Sequence, residues 1–378
     1  MRHLRFALAC GLAALLAAAA CAAEDPEASE AAEAERLLAQ QAEFDYSTIP
    51  KISAHEHFVA GGDLRLYLDL MDQLGIQKAL FVPTGRAPDN SGSRENMRAL
   101  LDWQRQNPDR IWAFAACDDL ADDAPAVLER AAADGAHGFK SLAGLPGFYR
   151  ERLDGPHLRA MWSQCERLHW PVLIHIEGAS DPHQQVEIER LLADFPKVAV
   201  VLPHYGKMFA HLNWCAQLLD RYPNCFMDLS MGTPIASYLD LIDEDPEPVR
   251  DLIIKYQDRL MWGADVIVGT TWTPERLRDR ICTDLNLLSR ERFATRWSNR
   301  LRPLRGLHLP PGVLRKIWWT NPQRIYGISV RPAAQAAAPG VAWASLAGQA
   351  LAGQACPWSR ARRPCHAGTV CAPGLGLL

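Results

Sequence analysis

The chain has 378 residues, 48% of them hydrophobic and 22% charged, a composition that is typical of globular proteins and excludes intrinsic disorder for most of the chain. The 40 Lys and Arg residues nearly balance the 44 Asp and Glu residues, which gives a formal charge of −4. Because phosphate binding depends on clustered basic residues and no long basic block occurs, we expect a small-molecule substrate and no nucleic-acid partner.

The N-terminus has the order of a secretory signal, with basic residues followed by an apolar run over residues 6–20 and small residues before Cys21. The apolar run is too short for a comfortable bilayer span. Two forms of export stay open: lipidation at Cys21, because the preceding alanines resemble a lipobox, or cleavage that releases a soluble protein. We predict a signal peptide over residues 1–21 and a periplasmic protein, which contacts the membrane only if Cys21 carries a lipid anchor.

Two segments differ in composition from the body of the chain. Residues 22–47 carry many acidic side chains and one basic residue, Arg36, which predicts a linker in the form of a solvated tether or a short charged helix. Residues 329–378 are dominated by Ala, Gly and Pro, contain LAGQA twice in tandem and lack acidic residues. The second segment predicts a disordered tail.

The body of the chain, residues 48–328, alternates short apolar runs with segments of helical periodicity. Eight runs are strand candidates: residues 51–54, 79–83, 111–117, 137–142, 172–175, 198–204, 225–230 and 260–264. The helical segments are residues 64–74, 94–106, 124–133, 157–168, 185–195, 209–221, 248–256 and 274–287, and residues 311–327 predict closing helices. This order predicts a parallel α/β fold, and eight units can close into a TIM barrel of the (β/α)8 type.

An open doubly wound sheet is the alternative architecture. Such a sheet would normally have a Gly-rich phosphate loop after its first strand, and Ala54-His-Glu-His57 is no such loop. The five cysteines of the body are widely spaced and form no C-x-x-C pair, so we expect buried apolar side chains rather than a disulfide framework or a thiolate zinc site.

Polar residues follow several predicted strands, at the end of a barrel where active sites form. His55 and His57 follow the first strand, and their i, i+2 spacing can offer both imidazoles to one metal ion. Lys140, His175, His204 and Asp265 lie at the ends of the fourth, fifth, sixth and eighth strands. Each residue alone has an ordinary structural explanation, and their joint placement is the stronger indication.

Imidazole and carboxylate ligands suit zinc best, with iron, cobalt and manganese as alternatives. A metal site with an open position can lower the pKa of water from about 16 to about 7 and so supply a nucleophile at neutral pH. We therefore expect one divalent metal ion, most simply Zn²⁺, and water-activating chemistry.

Five segments carry a family resemblance: Ala54-His-Glu-His57, Pro171-Val-Leu-Ile-His175, Val201-Leu-Pro-His204, the stretch 255–265 that ends in Trp-Gly-Ala-Asp265, and Asn321-Pro-Gln-Arg-Ile-Tyr-Gly327. Over residues 49–328 the chain resembles the amidohydrolase superfamily, and within it the amidohydrolase-related (amidohydrolase 2) metal-dependent hydrolases of TIM-barrel fold, which include decarboxylases.

The resemblance implies roles for the residues at the strand ends. His55, His57, His175 and Asp265 would bind the catalytic metal, and Asp265 could also serve as the general base, although the division of acid and base roles between Asp265 and His204 differs among branches of the family. His204 would orient the water or stabilise developing charge. Lys140 would be a carbamylated bridge between two metals, or, beside one metal, a residue that binds substrate or makes a structural ion pair. We favour one metal with Lys140 close to the substrate.

The preferred function is therefore a metal-dependent hydrolase that cleaves an ester, lactone or amide-like bond of a small molecule. A metal-dependent decarboxylase of a small unsaturated or aromatic acid is the first alternative, and a non-catalytic metal-binding lipoprotein is the second. Substrate specificity should lie in the loops after the strands, including residues 144–155, 234–246 and 267–273. Oligomeric state stays open.

Overall fold

The computed structural model describes residues 26–177, 181–207, 212–232, 235–269, 272–297 and 301–330. The predicted signal segment and residues 331–378 of the predicted tail lie outside this part of the chain. Within the described residues, no helix is long and apolar enough to cross a membrane.

Nine strands form two parallel sheets, with β3-β2-β1-β9 as the order in one and β4-β5-β6-β7-β8 in the other. Their bounds are β1 Lys51–Phe58, β2 Ile76–Pro83, β3 Ile111–Ala113, β4 Phe139–Ser141, β5 Val172–Ile174, β6 Val200–Leu202, β7 Cys225–Asp228, β8 Leu260–Met261 and β9 Ile267–Val268. All eight predicted strands occur, and the predicted parallel α/β fold is confirmed.

Backbone contacts connect the two sheets on both sides. A parallel bridge joins Ala115, just after β3, to Phe139 of β4. On the other side, the Ala54 N–H of β1 donates to the Trp262 carbonyl at 2.8 Å. The beginning of β4 and the segment after β8 therefore lie beside the first sheet.

Helices connect most of the strands, and their bounds agree with the predicted segments to within a few residues. The body helices are α2 Leu64–Leu74, α3 Ser93–Gln106, α4 Ala124–Ala133, α5 Pro156–Leu168, α6 Pro182–Asp194, α7 Leu212–Arg221, α8 Ile235–Glu244, α9 Glu247–Lys255, α10 Pro274–Ser289, α11 Pro311–Arg315 and α12 Asn321–Tyr326. The helix α8 corrects our expectation of a loop over residues 234–246. Tyr238, Leu239 and Ile242 are buried on this helix, and their spacing is that of one helical face.

The acidic N-terminal segment contains a further helix, α1 (Pro26–Ala42). Of the two predicted forms, a solvated tether and a short charged helix, the structure has the helix. Ala34 and Leu37 of α1 pack against Ala294. The Gln41 side chain both donates to the Ala294 carbonyl and accepts from the Ala294 N–H, each at 2.8 Å. Ala294 belongs to an antiparallel hairpin of β10 (Arg292–Ala294) and β11 (Pro303–Arg305), so α1 is attached to the body.

The strand β1 continues four residues beyond the predicted end at Ala54, which is a correction to the first predicted strand. His57 pairs with Val82 on one side and with Ile267 on the other. All eight residues of β1 are buried, so backbone pairing continues after the apolar run has ended. As a result, His55 and His57 lie within a strand that has neighbours on both sides.

Both faces of the strands are covered, as expected for a parallel sheet. Along β2, Leu80 and Val82 belong to an inner apolar cluster, whereas Ala79 and Phe81 belong to the larger cluster beneath the helices. Tyr326 of α12 packs in the inner cluster as well. Of the five body cysteines, four are buried and all five are free, as expected.

Candidate metal centre

The two histidines of β1 point to the same side of the strand. Their Nε2 atoms lie 3.1 Å apart, and both side chains are almost fully buried. This arrangement follows from strand geometry, because residues i and i+2 project from one face.

Asp265 meets these histidines from the segment between β8 and β9. Its Oδ1 atom lies 3.1 Å from Nε2 of His57 and 3.6 Å from Nε2 of His55. The Asp265 N–H donates to the His55 carbonyl at 2.9 Å, which ties the segment to β1. Asp265 has a φ of 53°, in the left-handed region that few residues other than glycine adopt.

These three atoms fit a metal ion. Ligands about 2.1 Å from a metal are separated by about 3.0–3.4 Å along the edges of an octahedron or tetrahedron. The observed separations of 3.1, 3.1 and 3.6 Å lie close to that range. His55, His57 and Asp265 could therefore hold one divalent cation with little rearrangement.

The Nδ1 atoms of both histidines contact side chains at the ends of other strands. Nδ1 of His55 lies 2.9 Å from Oδ2 of Asp228, at the end of β7, and Nδ1 of His57 lies 2.5 Å from the hydroxyl of Thr84, just after β2. Because a carboxylate only accepts, the His55 proton is assigned to Nδ1 and its Nε2 atom keeps a lone pair. A carboxylate behind a histidine is the usual support of a metal ligand.

His204 is connected to the same carboxylate. Its backbone N–H donates to Oδ1 of Asp228 at 3.2 Å, and its Nδ1 lies 2.9 Å from the hydroxyl of Ser230, which in turn donates to Oδ1 of Asp228. The ligand atoms of His55, His204 and Asp265 all lie within 4.8 Å of one another. Asp228 thus supports two of the predicted histidines at once.

Lys140 of β4 reaches into this group. Its Nζ atom lies 3.2 Å from Nε2 of His55, and the residue is 1% exposed. Burial lowers the pKa of Lys140 to about 8, while the carboxylates of Asp265 and Asp228 act in the opposite direction. The sequence placed Lys140 near the substrate, and the structure places it directly beside His55.

His175 lies at the edge of the group. Its ring contacts that of His204, with centroids 5.2 Å apart, and its Nε2 atom lies 3.1 Å from Oε1 of Glu177. Its assignment as a fourth metal ligand stays a prediction.

The electrostatics of the centre suit a cation. Burial raises the pKa of Asp265, but its electrostatic interactions with the neighbouring His204 and His55 rings and the hydrogen bond from His57 outweigh burial and hold that pKa well below its usual value. Burial lowers the pKa of His57 to about 4 and that of His204 well below its usual value. At neutral pH the site therefore combines an anionic Asp265 carboxylate with uncharged imidazoles at His57 and His204, which are the protonation states that bind metals.

Several supporting residues were not identified from the sequence as parts of the site. Thr84, Ser230 and Glu177 contact His57, His204 and His175, respectively. Their positions just after a strand were the available signal, but Ser and Thr are common there. Asp228, at the end of β7, contacts Nδ1 of His55 and can orient its ring.

Comparison with known proteins gave a family match and structural neighbours. A family model described as amidohydrolase matches residues 52–328. No curated protein matches the chain.

Among solved structures, an uncharacterized TIM-barrel protein from Bordetella bronchiseptica is 16% identical, with a TM-score of 0.51, over 74% of this chain and 99% of its own. A probable 2-pyrone-4,6-dicarboxylic acid hydrolase from Acinetobacter baumannii, with citric acid bound, is 16% identical with a TM-score of 0.50, over 74% of this chain and 100% of its own. A 5-carboxyvanillate decarboxylase from Novosphingobium aromaticivorans, with bound manganese, is 14% identical with a TM-score of 0.48, over 75% and 99%. At these identities the first two likenesses show a shared fold.

Proposed function

Because the chain belongs to the amidohydrolase family and is an enzyme of that type, we propose that it is a metal-dependent hydrolase of a small molecule. The bond cleaved is an ester, lactone or amide-like bond. The observation that carries the proposal is the convergence of His55 Nε2, His57 Nε2 and Asp265 Oδ1 at separations of 3.1 to 3.6 Å. The probable pyrone hydrolase among the structural neighbours is consistent with this reaction class.

The proposed metal is one divalent ion, with zinc as the first choice and iron, cobalt or manganese as alternatives. His55, His57 and Asp265 would hold it, with His175 as the fourth protein ligand. When bound, such a metal supplies Lewis acidity that makes water a nucleophile near neutral pH.

The remaining steps belong to the side chains. Asp265 offers Oδ1 to the metal side of the site, and its Oδ2 atom, 3.9 Å from Nδ1 of His204, is placed to accept a proton from the attacking water. The hydroxyl of Ser230 donates to Asp228, so its oxygen accepts from Nδ1–H of His204. His204, held in this way beside Asp265, would orient the water.

Metal content measured by elemental mass spectrometry tests this proposal. We expect about one metal ion per chain in the wild type and loss of that metal in His55→Ala and Asp265→Ala, as expected for a mononuclear site. Metal-loaded wild type should hydrolyse members of an ester, lactone and amide panel. Failure to bind metal after reconstitution would overturn the mechanism. Two metals per chain would instead assign Lys140 as a carbamylated bridge.

A decarboxylase is the second candidate, and Lys140 is the observation that favours it. Its buried Nζ atom, 3.2 Å from His55, is a cation placed to bind the carboxylate of a small unsaturated or aromatic acid. Release of carbon dioxide from such acids, with no hydrolysis of the panel, would favour this reaction.

We also propose that the two sheets form one closed TIM barrel. The Ala115–Phe139 bridge and the hydrogen bond from Ala54 to Trp262 support closure at both junctions. The TIM-barrel neighbour supports the same architecture.

Export to the periplasm is a further part of the proposal, and it depends on residues 1–21 of the sequence. Cell fractionation with a Cys21→Ala variant tests it. A lipid anchor predicts that wild type sediments with membranes and the variant does not. A cytosolic location for the wild type would contradict export.

A further inference from the structure

Glu56 lies between the two histidines of β1 and points to the other side of the strand. It is fully buried, as expected for a residue within a strand that has neighbours on both sides. Its Oε2 atom accepts from the Val266 N–H at 2.9 Å, and its Oε1 atom accepts from the Ala264 N–H at 3.3 Å and from the Ser53 hydroxyl. Both carboxylate oxygens are therefore occupied by donors.

The two backbone donors are the residues on either side of Asp265. The N–H of Asp265 itself donates to the His55 carbonyl at 2.9 Å. Three consecutive N–H groups of this segment are thus bound by β1, two of them by one side chain. They hold Asp265 in a left-handed conformation, with a φ of 53°, that an aspartate would otherwise rarely adopt.

We propose that Glu56 is a positioning residue that fixes the carboxylate of Asp265 against the imidazoles of His55 and His57. Residues 55–57 of β1 would then have two functions in the metal centre. The histidines face the cation site, and the glutamate between them holds the backbone that delivers the third ligand. This inference rests on the metal centre of the proposed function.

A carboxylate suits this task better than an amide. Three donors converge on the two carboxylate oxygens of Glu56, whereas an amide has only one oxygen to offer them. In Glu56→Gln, which has nearly the same shape, one side-chain NH₂ group must face a buried N–H or hydroxyl donor. The segment that carries Asp265 would have to move to relieve that contact.

The test compares Glu56→Gln with a matched control, Glu187→Gln. Glu187 is also a buried glutamate that accepts a backbone N–H, from Leu153 at 2.9 Å, but it lies on α6, and its described side-chain partners are Tyr149 and Arg152. Affinity for Zn²⁺ and for Mn²⁺ is measured by chelator competition, and unfolding by urea is followed for all proteins. The visible absorption of the Co²⁺-loaded proteins reports the ligand geometry.

We expect Glu56→Gln to bind either metal about 10–100-fold more weakly than wild type and to alter the Co²⁺ spectrum, as for partners that orient metal ligands. Glu187→Gln should change the urea midpoint alone. Glu56→Asp keeps two carboxylate oxygens but shortens the reach, so it should weaken binding by an intermediate factor. This variant also serves if Glu56→Gln fails to fold.

The outcomes separate this inference from the proposed function. Wild-type affinity and an unchanged Co²⁺ spectrum in Glu56→Gln, or in Glu56→Asp should Glu56→Gln fail to fold, would overturn the positioning role and leave the metal centre in place. An equal loss of affinity in Glu187→Gln would overturn it too, because the effect would then follow general destabilisation. A wild type that binds no metal would overturn both proposals.

Discussion

Asparagine has nearly the same size as aspartate, but replacement of Asp228 by asparagine should lower either metal affinity or the free energy of unfolding. Asp228 accepts from four donors: Nδ1 of His55, the backbone N–H groups of His204 and Ser230, and the Ser230 hydroxyl. An asparagine has one acceptor oxygen in place of two. Its NH₂ group must therefore face either His55 or the other three donors.

The two orientations have different costs. If the NH₂ group faces His55, at the present separation of 2.9 Å, the imidazole must move its proton from Nδ1 to Nε2. That proton then occupies the lone pair that faces His57 and Asp265, and metal affinity should fall about 10–100-fold, or about 1.4–2.8 kcal/mol. If the amide is reversed, buried donors lose their acceptor and the free energy of unfolding should fall by about 1–3 kcal/mol.

Chelator competition with Zn²⁺ and urea unfolding together measure both costs. The control is Asp154→Asn, because Asp154 has an almost buried side chain that is bound by Arg152 and Arg190, outside the metal centre. We expect the control to leave metal affinity unchanged. Wild-type affinity together with wild-type stability in Asp228→Asn would refute the reasoning, since one orientation of the amide should lower metal affinity and the other should lower the free energy of unfolding.

Lys51→Met should lower the free energy of unfolding by about 3 kcal/mol, because three buried carbonyls lose their hydrogen-bond donor. Urea titration measures this loss, and metal affinity should stay unchanged. An unchanged urea midpoint would contradict the prediction. Gly232→Ala should reduce turnover of a panel substrate about 100-fold, because the new Cβ would lie 2.8 Å from the His204 ring and displace it. The matched control Gly312→Ala, where a Cβ meets nothing within 4 Å, should keep wild-type turnover, and equal activity in both variants would show that His204 is not displaced.

Much of the fold could be predicted from local patterns. Apolar runs and helical periodicity are properties of neighbouring residues, and they identified β1 to β8 and most of the helices of the body, but not the short strands β9, β10 and β11. The bounds of α2 and α4 were predicted to the residue because each carries a clear apolar face and ends where that face ends. The helix α8 was missed because prolines at both ends suggested a loop.

The end of β1 shows where local patterns stop being sufficient. The apolar run ends at Ala54, but the strand continues to Phe58 because its neighbours on both sides keep supplying hydrogen-bond partners. Such partners come from distant parts of the chain. Hydrophobicity therefore predicted where the strand begins and not where it ends.

The sequence by itself determined the strand order, the family and the residue types of a metal centre, because spacing along a strand sets which side chains share a face. The tertiary structure alone decided how those residues are held. His55 and Asp228 are 173 residues apart in the chain, and Glu56 contacts Val266 over a separation of 210. Contacts of this kind form only when parallel strands bring their carboxyl ends to one edge, since no local pattern records which distant side chain will face which.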